Sequence, residues 1–361
     1  MFLRNQTRQV KVNNVTIGGG APVSIQSMTN TVTADAVSTL AQIRELASAG
    51  CDIIRVAVPD SDAVDALPAI LSGSPIPVIA DIHFDYRLAL GAIAAGIHGI
   101  RINPGNIGDA DKVRLIAEKA GEAGIPIRVG ANSGSLSEAM RSLPPADALV
   151  ESALEQCRIL EEYGFRAIKV SLKASNVPVT VSAYEKFAER SDYPLHLGIT
   201  EAGTPQNGIV KSAVGIGALL LRGLGDTIRV SLTAPPLAEI APARRILEAA
   251  GLRDASPEIV SCPTCGRTQI DLIKLAEKVE SLIQEIKQQN RRIKLKKIAV
   301  MGCVVNGPGE ARDADLGVAG GRSQLALFKH GKIIGTFPEA EGYDVLRREI
   351  LANTEEISVP E

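Results

Sequence analysis

The chain has 361 residues, enough for one large domain and a smaller second one. Its formal net charge is −2, 3% of its residues are aromatic and it has no tryptophan, which argues against a nucleic-acid-binding surface. The longest apolar run, near residues 213–221, is too short for a membrane span. No apolar core follows the basic residues near the N-terminus, and the five cysteines lack disulfide-like spacing, so we expect a cytoplasmic protein.

A strand–loop–helix unit repeats along most of the chain, after a short hairpin at Lys11–Ile17. The predicted strands are Val23–Met28, Asp52–Val58, Pro77–His83, Gly99–Asn103, Pro126–Gly130, Ala167–Leu172, Leu195–Thr200 and Thr227–Leu232. Helical patterns between them include Thr39–Ala49, Asp109–Ala123, Asp147–Tyr163, Ala183–Arg190 and Ile209–Leu221. Glycines at positions 50, 96, 124, 164 and 223 follow predicted helices, as C′ glycines do.

These repeats predict a (β/α)8 TIM barrel over residues 1–250, since eight units fit into about 230 residues. An open, doubly wound sheet is the alternative. That fold is expected to have a Gly-x-Gly-x-x-Gly turn after its first strand, and none is present.

The remaining chain, residues 251–361, predicts a smaller α+β domain after the helix Leu237–Ala250 and a linker at Gly251–Ser261. Its predicted elements are a helix at Thr268–Gln288, a basic turn at Arg291–Lys297, a strand at Ile298–Met301, strands near Leu316–Val318 and Lys332–Phe337, and a helix near Tyr343–Leu351. We interpret the basic turn as a solvated surface, with docking of an acidic electron donor as the alternative.

Cationic side chains alternate with apolar ones along several predicted barrel strands. Because side chains two apart share a face of a strand, the apolar residues pack under the helices and the cations point into the barrel. Most lie toward the carboxyl ends of the strands, where TIM barrels place their sites. The cations are Arg55, Arg101, Arg128, Lys169, Lys173 and Arg229.

A single buried arginine is commonly paired with a carboxylate, but only Asp81 and Glu201 occupy comparable positions. Desolvating so many like charges without a counter-ion would cost several kcal/mol each, so the pattern favours a bound anion. Arginine matches phosphate oxygens in a bidentate way, and a small diphosphate is the economical interpretation. Glu201, among cations, is predicted to stay ionised and to suit a proton relay.

The histidines and cysteines of the barrel divide into two groups. His83 ends the third strand and is a candidate binding residue. His98 and His196 are predicted to be core histidines, and Cys51 and Cys157 to be inert thiols within the packing.

Three further cysteines lie in the second domain. Cys262 and Cys265 form a C-x2-C pair, and Cys303 reaches them only through folding. Three thiolates without a nearby histidine favour iron–sulfur or zinc, and a structural zinc site remains open on spacing alone. The fourth ligand would be a side chain other than cysteine, a water molecule or the substrate.

The sequence around these cysteines resembles the 4-hydroxy-3-methylbut-2-en-1-yl diphosphate synthases, the iron–sulfur reductases of the methylerythritol phosphate route to isoprenoids. Residues 261–268 read Ser-Cys-Pro-Thr-Cys-Gly-Arg-Thr, and residues 302–310 read Gly-Cys-Val-Val-Asn-Gly-Pro-Gly-Glu. The resemblance implies a 4Fe–4S cluster held by Cys262, Cys265, Cys303 and Glu310, in a domain similar to the half-module of sulfite and nitrite reductases. It also implies a catalytic role for Glu310, since iron that exchanges this ligand can bind substrate.

The same resemblance implies that the barrel binds 2-C-methyl-D-erythritol 2,4-cyclodiphosphate and that ferredoxin or flavodoxin supplies two electrons. The implied substrate contacts are Arg55, His83, Arg101, Arg128, Asn132, Lys173, Thr200, Arg229 and Ser231. No role is implied for Lys169. The alternative is a zinc-stapled barrel that binds or isomerises a sugar phosphate.

The direction of the chain predicts a head-to-tail homodimer. The eighth strand ends near Ser231 at the cationic end of the barrel, and the helix Leu237–Ala250 then runs back over about 20 Å. A stretched linker at Gly251–Ser261 would span about 36 Å and return. We instead expect each cluster domain to cap the partner's barrel across a two-fold axis, which the resemblance also implies.

Overall fold

Eight parallel strands, each followed by a helix, form a barrel in the first of two units, within the residues that the structure describes. The structure is a computed structural model that describes residues 4–136, 140, 142–253, 257–289, 291–303 and 312–356. The units are Met1–Arg253 and Asp254–Glu361. The predicted TIM barrel is therefore confirmed.

The elements of the first unit are numbered in chain order. An antiparallel hairpin is formed by β1 (Val10–Val12) and β2 (Val15–Ile17). The barrel strands are β3 (Ser24–Met28), β4 (Ile53–Ala57), β5 (Val78–Asp81), β6 (Ile100–Arg101), β7 (Ile127–Asn132), β8 (Ile168–Lys173), β9 (His196–Leu197) and β10 (Thr227–Ile228). The helices are α1 (Ala36–Ser48), α2 (Ser61–Gly73), α3 (Tyr86–Ala94), α4 (Ala110–Glu122), α5 (Pro145–Glu162), α6 (Val177–Ala188), α7 (Pro205–Leu220) and α8 (Leu237–Ala249).

The barrel strands follow the order β8-β7-β6-β5-β4-β3-β10-β9, and a parallel bridge between Val170 and Leu195 joins the two ends. Apolar residues on the outer strand faces, such as Ile54, Val129 and Leu172, are fully buried in the core beneath the helices. A separate apolar cluster joins the β1–β2 hairpin to Ile53 and Ile79. The hairpin therefore closes the amino-terminal end of the barrel, and its carboxyl-terminal end is the one available to a ligand.

Side-chain caps explain where several helices begin. Asp35, Asp60, Asp85 and Asp109 each accept a hydrogen bond from a backbone N–H in the first turn of α1, α2, α3 and α4. Asn176 does the same for α6, whose first turn contains a proline, so this helix begins six residues before the predicted Ala183. The β-branched residues of that first turn hide the helix in a periodicity analysis.

The second unit has a five-stranded sheet in the order β11-β13-β14-β15-β16, in which β11, β13 and β14 are parallel and the rest antiparallel. Its elements are β11 (Glu258–Ser261), α9 (Leu272–Gln288), β12 (Arg291–Ile293), β13 (Lys297–Met301), β14 (Leu316–Gly321), β15 (Gln324–Lys329), β16 (Lys332–Pro338), α10 (Glu339–Ala352) and β17 (Thr354–Glu356). Both helices contribute to one apolar core that covers one face of the sheet.

Three predictions for this unit need correction. The linker Gly251–Ser261 ends in strand β11, which pairs with β13. The basic turn Arg291–Lys297 begins with β12, which pairs antiparallel with β17, so the carboxylates of Glu355 and Glu356 lie opposite its arginines. The helix predicted from Thr268 begins at Leu272, because Asp271 caps it by accepting from the N–H of Lys274.

Candidate active site

Cationic side chains lie on the inner face of the barrel, as their alternation with buried apolar residues predicts. Three of them are directly adjacent in register on neighbouring strands: Arg101 pairs with Arg128, and Arg128 with Lys169. Lys173 lies two residues beyond Ser171 on β8, opposite Asn132. We call the set formed by Arg55, Arg101, Arg128, Lys173, Arg229 and Asp81 the cationic mouth.

Asp81 is the central carboxylate of the cationic mouth. Its Oδ2 lies 3.6 Å from Nε of Arg55, and its Oδ1 lies 3.3 Å from Nη1 of Arg101. Burial disfavours the charged carboxylate. This effect is outweighed by the positive charge of Arg55, then by a hydrogen bond with His83, and then by the positive charge of Arg101. Together they hold the pKa of Asp81 well below its ordinary value. Asp81 is therefore an ionised counter-ion for two arginines.

Arg229 has a different counter-ion, which the sequence analysis did not identify. Glu239 of α8 is buried, and its Oε2 lies 3.5 Å from Nε of Arg229 and accepts from Oγ of Ser27 at 3.0 Å. Its Oε1 accepts from the backbone N–H of Leu232 at 3.1 Å. The sequence does contain a signal for this role: Glu239 has the helical spacing that places it on the buried face of α8 with Ala243 and Ile246.

Cations still outnumber carboxylates in the cationic mouth. Arg128 is 4% exposed and donates only to the hydroxyl of Ser171, at 3.3 Å, among the described partners. Lys173 is 9% exposed and forms no ion pair within the described part of the chain. Burial, followed by repulsion from neighbouring arginines, lowers the pKa of both groups well below their ordinary values. An anion bound here would relieve that repulsion.

Lys173 reaches this position because residue 198 on the neighbouring segment is glycine. A Cβ at Gly198 would lie 3.0 Å from Nζ of Lys173 and 2.8 Å from the carbonyl oxygen of Arg229. The missing side chain therefore leaves space for the ammonium group between β8 and β10.

The loop after β5 carries His83 beyond the end of the strand. His83 is exposed, and its Nε2 lies 2.7 Å from Nη1 of Arg101. The next residue, Phe84, is 75% exposed and has a φ of 66°. A large residue in the left-handed region is strained, and such strain often occurs at binding loops, so Phe84 is a candidate contact that the sequence analysis missed.

Glu201 lies in the loop after β9. It is exposed and also adopts a left-handed conformation, with a φ of 52°. It forms no ion pair with the cations of the described chain, so Glu239 rather than Glu201 is the second counter-ion of the mouth. Thr200, Ser231 and Asn132 are partly buried at the same ends of their strands.

The remaining histidines and cysteines of the barrel are buried to different extents. His98 accepts from the backbone N–H of Val78 through Nδ1, at 3.0 Å, and His196 is completely buried on β9. Cys51 and Cys157 are 3% and 2% exposed, and burial raises the pKa of each thiol to about 12. Both thiols therefore stay protonated, in agreement with the predicted packing role.

In the second unit, strand register brings Cys262 and Cys303 to the same edge of the sheet. The parallel strands β11 and β13 pair Ser261 with Val300, so Cys262 follows directly and Cys303 lies two residues after Met301. The backbone N–H of Gly302 donates to Sγ of Cys262 at 3.2 Å. A Cβ at Gly302 would lie 2.9 Å from the side chain of Thr268, so the loop that carries Cys265 also contacts this edge.

Cys265 is exposed, and hydrogen bonding, chiefly from the backbone N–H of Arg267, lowers the pKa of its thiol. Cys303 is buried. Two thiols at one sheet edge and a third on the loop that contacts this edge suit a soft metal centre. No cluster of three or more potential metal ligands is assembled among the described residues, and Glu310 lies outside them.

Fold and site together define a TIM-barrel protein with an excess of buried cations at its mouth, joined to an α+β unit with two cysteines at a sheet edge and a third on an adjoining loop. The chain belongs to the GcpE family. The GcpE TIM-barrel domain matches residues 7–244, and the GcpE protein C-terminal domain matches residues 258–352.

Relatives cover nearly the whole chain. It is 54% identical, over 351 residues, to the 4-hydroxy-3-methylbut-2-en-1-yl diphosphate synthase (flavodoxin) of Geobacter sulfurreducens, a match that covers 96% of this chain and 98% of the relative. It is 52% identical, over 350 residues, to the protein of the same name from Geobacillus thermodenitrificans, covering 96% and 92% of the two chains.

Among solved structures, the chain is similar to the dihydropteroate synthase of Yersinia pestis, with 11% identity, a TM-score of 0.51 and coverage of 67% of this chain and 98% of the other. The type I 3-dehydroquinate dehydratase of Clostridium difficile gives 17% identity, a TM-score of 0.51 and coverage of 67% and 97%. At these identities the likeness shows the barrel fold alone. Within the described residues, every helix is too short or too polar to cross a membrane.

Proposed function

We propose that this GcpE-family chain is an oxidoreductase that opens the ring of 2-C-methyl-D-erythritol 2,4-cyclodiphosphate and forms 4-hydroxy-3-methylbut-2-enyl diphosphate. In the balanced reaction, two electrons and two protons enter, the carbon–oxygen bond to one phosphate breaks, and one hydroxyl leaves as water. The names of the relatives support this product.

The observation that carries the proposal is the excess of buried cations in the cationic mouth. Asp81 and Glu239 offset part of that charge, but Arg128 and Lys173 lack a carboxylate partner in the described chain. Buried like charges are stable only when compensated, and a diphosphate carries two negative charges that arginine forks can bind.

The residues of the mouth have distinct proposed roles. Arg55, Arg101, Arg128, Lys173 and Arg229 bind the phosphate oxygens. His83, already in contact with Arg101, closes the site from the side of β5. Hydrogen bonds that orient the substrate come from Asn132, Thr200 and Ser231 at the ends of their strands.

Glu201 is the proposed proton-transfer group. Its carboxylate is exposed in the loop after β9, and it forms no ion pair within the described chain, so it remains free to exchange protons with solvent and substrate. Its left-handed backbone indicates a conformation that the surrounding loop holds in place.

Cys262, Cys265, Cys303 and Glu310 are the proposed ligands of a 4Fe–4S cluster. Two observations support this assignment: the parallel register of β11 and β13, and the hydrogen bond that the backbone N–H of Gly302 donates to Sγ of Cys262. When bound, such a cluster supplies electrons one at a time to the substrate. Flavodoxin is the proposed donor, because the relatives' names include it, with ferredoxin as the alternative. Free thiols and such a cluster suit the reducing cytoplasm.

The proposed activity is tested with anaerobically purified protein, reduced flavodoxin and the cyclic diphosphate, followed by phosphorus NMR. We expect a brown protein and conversion of the ring phosphorus signals into those of a linear diphosphate. A colourless, zinc-containing protein that leaves the substrate unchanged would refute the proposal and favour a zinc-stapled sugar-phosphate barrel.

A head-to-tail homodimer is the proposed assembly. The chain leaves the barrel unit at the end opposite the cationic mouth, where Arg253 pairs with Asp52 at 2.7 Å, just before β4. Only residues 254–257 of the sequence separate Arg253 from β11, since β11 occupies the rest of the predicted linker. This short connection supports active sites shared between two chains.

The dimer is tested by mixing two inactive variants, Glu201→Gln and Cys303→Ser, under conditions of subunit exchange. Shared sites predict that mixed dimers regain part of the activity, because one intact barrel then meets one intact cysteine unit. If exchange is verified and activity stays absent, each chain uses its own cluster and the dimer proposal is wrong.

A further inference from the structure

Lys169 is a buried lysine whose amine has no acceptor among the described residues. It lies on the inner face of β8, in register with Arg128 and two residues nearer the closed end of the barrel than Ser171. Its exposure is 1%, and its Nζ makes no hydrogen bond in the described structure. A buried ammonium group without an acceptor is strongly disfavoured, so this lysine exists readily in the neutral form.

The charged groups around Lys169 come from several strands. Arg128 faces it from β7 and Arg55 from β4, and both disfavour a positive charge on its Nζ. Lys173 lies on the same strand, and the titratable His196 faces the interior from β9. The inner face of β3 contributes the neutral Gln26, which is also buried.

Asp226 is the carboxylate that acts on Lys169 within the described chain, and it is already engaged. Its Oδ1 accepts from Arg4 at 2.9 Å and from Thr7 at 3.1 Å, and its Oδ2 accepts from the backbone N–H of Leu195 at 2.9 Å. Burial is the main reason that the pKa of Lys169 is lowered, and repulsion from Arg128 is the second. The pKa is lowered to about 7. The group therefore titrates near neutral pH.

We propose that Lys169 takes up a proton from solvent when the cationic mouth binds its diphosphate. This inference rests on the proposed function. The bound anion offsets the charges of Arg128 and Arg55, the two cations that oppose protonation of Nζ, so the amine gains a proton and becomes an ammonium group. Binding then adds one positive charge beneath the diphosphate and becomes stronger as pH falls through the neutral range.

Ordered water beside other buried polar atoms of the inner barrel wall would carry the proton. Both amide atoms of Gln26 and both ring nitrogens of His196 are buried without a hydrogen-bond partner among the described residues. Buried polar groups of this kind are usually satisfied by ordered water, which also conducts protons.

The uptake is measured by titrating the protein with the cyclic diphosphate in buffers of different ionisation enthalpy. Each phosphorus of this ligand carries one strongly acidic hydroxyl, so the ligand itself does not titrate near neutrality. A rise of about one pKa unit from a starting value of about 7 corresponds to uptake of about half a proton at about pH 7.5. We expect this uptake in the unmodified protein and in the control Lys211→Met, which changes an exposed lysine of α7.

At about pH 7.5, Lys169→Met should bind the ligand with about half a proton less uptake, because methionine fills the space without titrating while Lys173, the other lysine of lowered pKa, is unchanged. If that variant does not fold, the unmodified protein still tests the idea, because its uptake must have a maximum just above pH 7. Binding with equal uptake in Lys169→Met, or with none at any pH in the unmodified protein, overturns the inference. Absence of binding in all three proteins overturns the proposed diphosphate site instead.

Discussion

Replacing Asp81 by asparagine should destabilise the barrel, because it removes the counter-ion that Arg55 and Arg101 share. The carboxylate side chain is 9% exposed, and the two arginine side chains are 11% and 10% exposed. Removing one partner of a buried ion pair costs about 3–5 kcal/mol. Asparagine keeps one hydrogen-bond acceptor, so we expect about 3 kcal/mol, which lowers Tm by about 6–12 °C for a unit of this size.

The assay is thermal unfolding followed by far-ultraviolet circular dichroism, since the chain has no tryptophan for fluorescence. Asp192→Asn is the matched control, because Asp192 pairs with Arg8 at the surface, where such pairs contribute about 0–1 kcal/mol. A bound diphosphate should stabilise Asp81→Asn more than the unmodified protein, since it replaces the missing negative charge. Equal values of Tm for the two variants would refute the argument.

The effect of Asp81 should also depend on pH. Its pKa in the folded protein is lower than in the unfolded chain, so its contribution is fully present above the unfolded value of about 4 and disappears as pH falls through the folded value. The Tm difference between the unmodified protein and Asp81→Asn should therefore be constant between about pH 6 and 8 and shrink below about pH 4. A difference that grows in acid would contradict this assignment.

Four other substitutions test the proposed site. Arg128→Ala and Arg229→Ala should each weaken diphosphate binding by about 1.5–3 kcal/mol in calorimetry while the cluster spectrum stays normal, and unchanged affinity in both would mean that these side chains do not face the ligand. Glu201→Gln should lower turnover about a hundredfold or more with little change in binding, and near-normal turnover would leave Glu201 without a catalytic role. Cys303→Ser should abolish the visible absorption of the cluster whereas Cys157→Ser keeps it, and identical spectra would contradict the ligand assignment.

Several features of the second unit are not predictable from local patterns. Strand β15 (Gln324–Lys329) is absent from the predicted elements, and the turn before it depends on Ser323 with a φ of 57°, a conformation that serine rarely adopts. Strand β12 looks like a basic turn in the sequence. Its pairing partner, β17, which supplies the opposite charges, lies some sixty residues later. Pairing between distant segments leaves no periodic signal within either of them.

Within the barrel, the sequence by itself determined which side chains point inward, because alternation along a strand has a period of exactly two and the apolar residues must face the helices. This alternation alone places Arg55, Arg101 and Arg128 on the inner face. What only the tertiary structure decided is how their charges are balanced. Asp81 is shared by two arginines, Glu239 reaches Arg229 from a helix, and Lys169 has no acceptor within the described chain. Ion pairing and desolvation depend on distances between segments far apart in the chain, and those distances exist only after the barrel has closed.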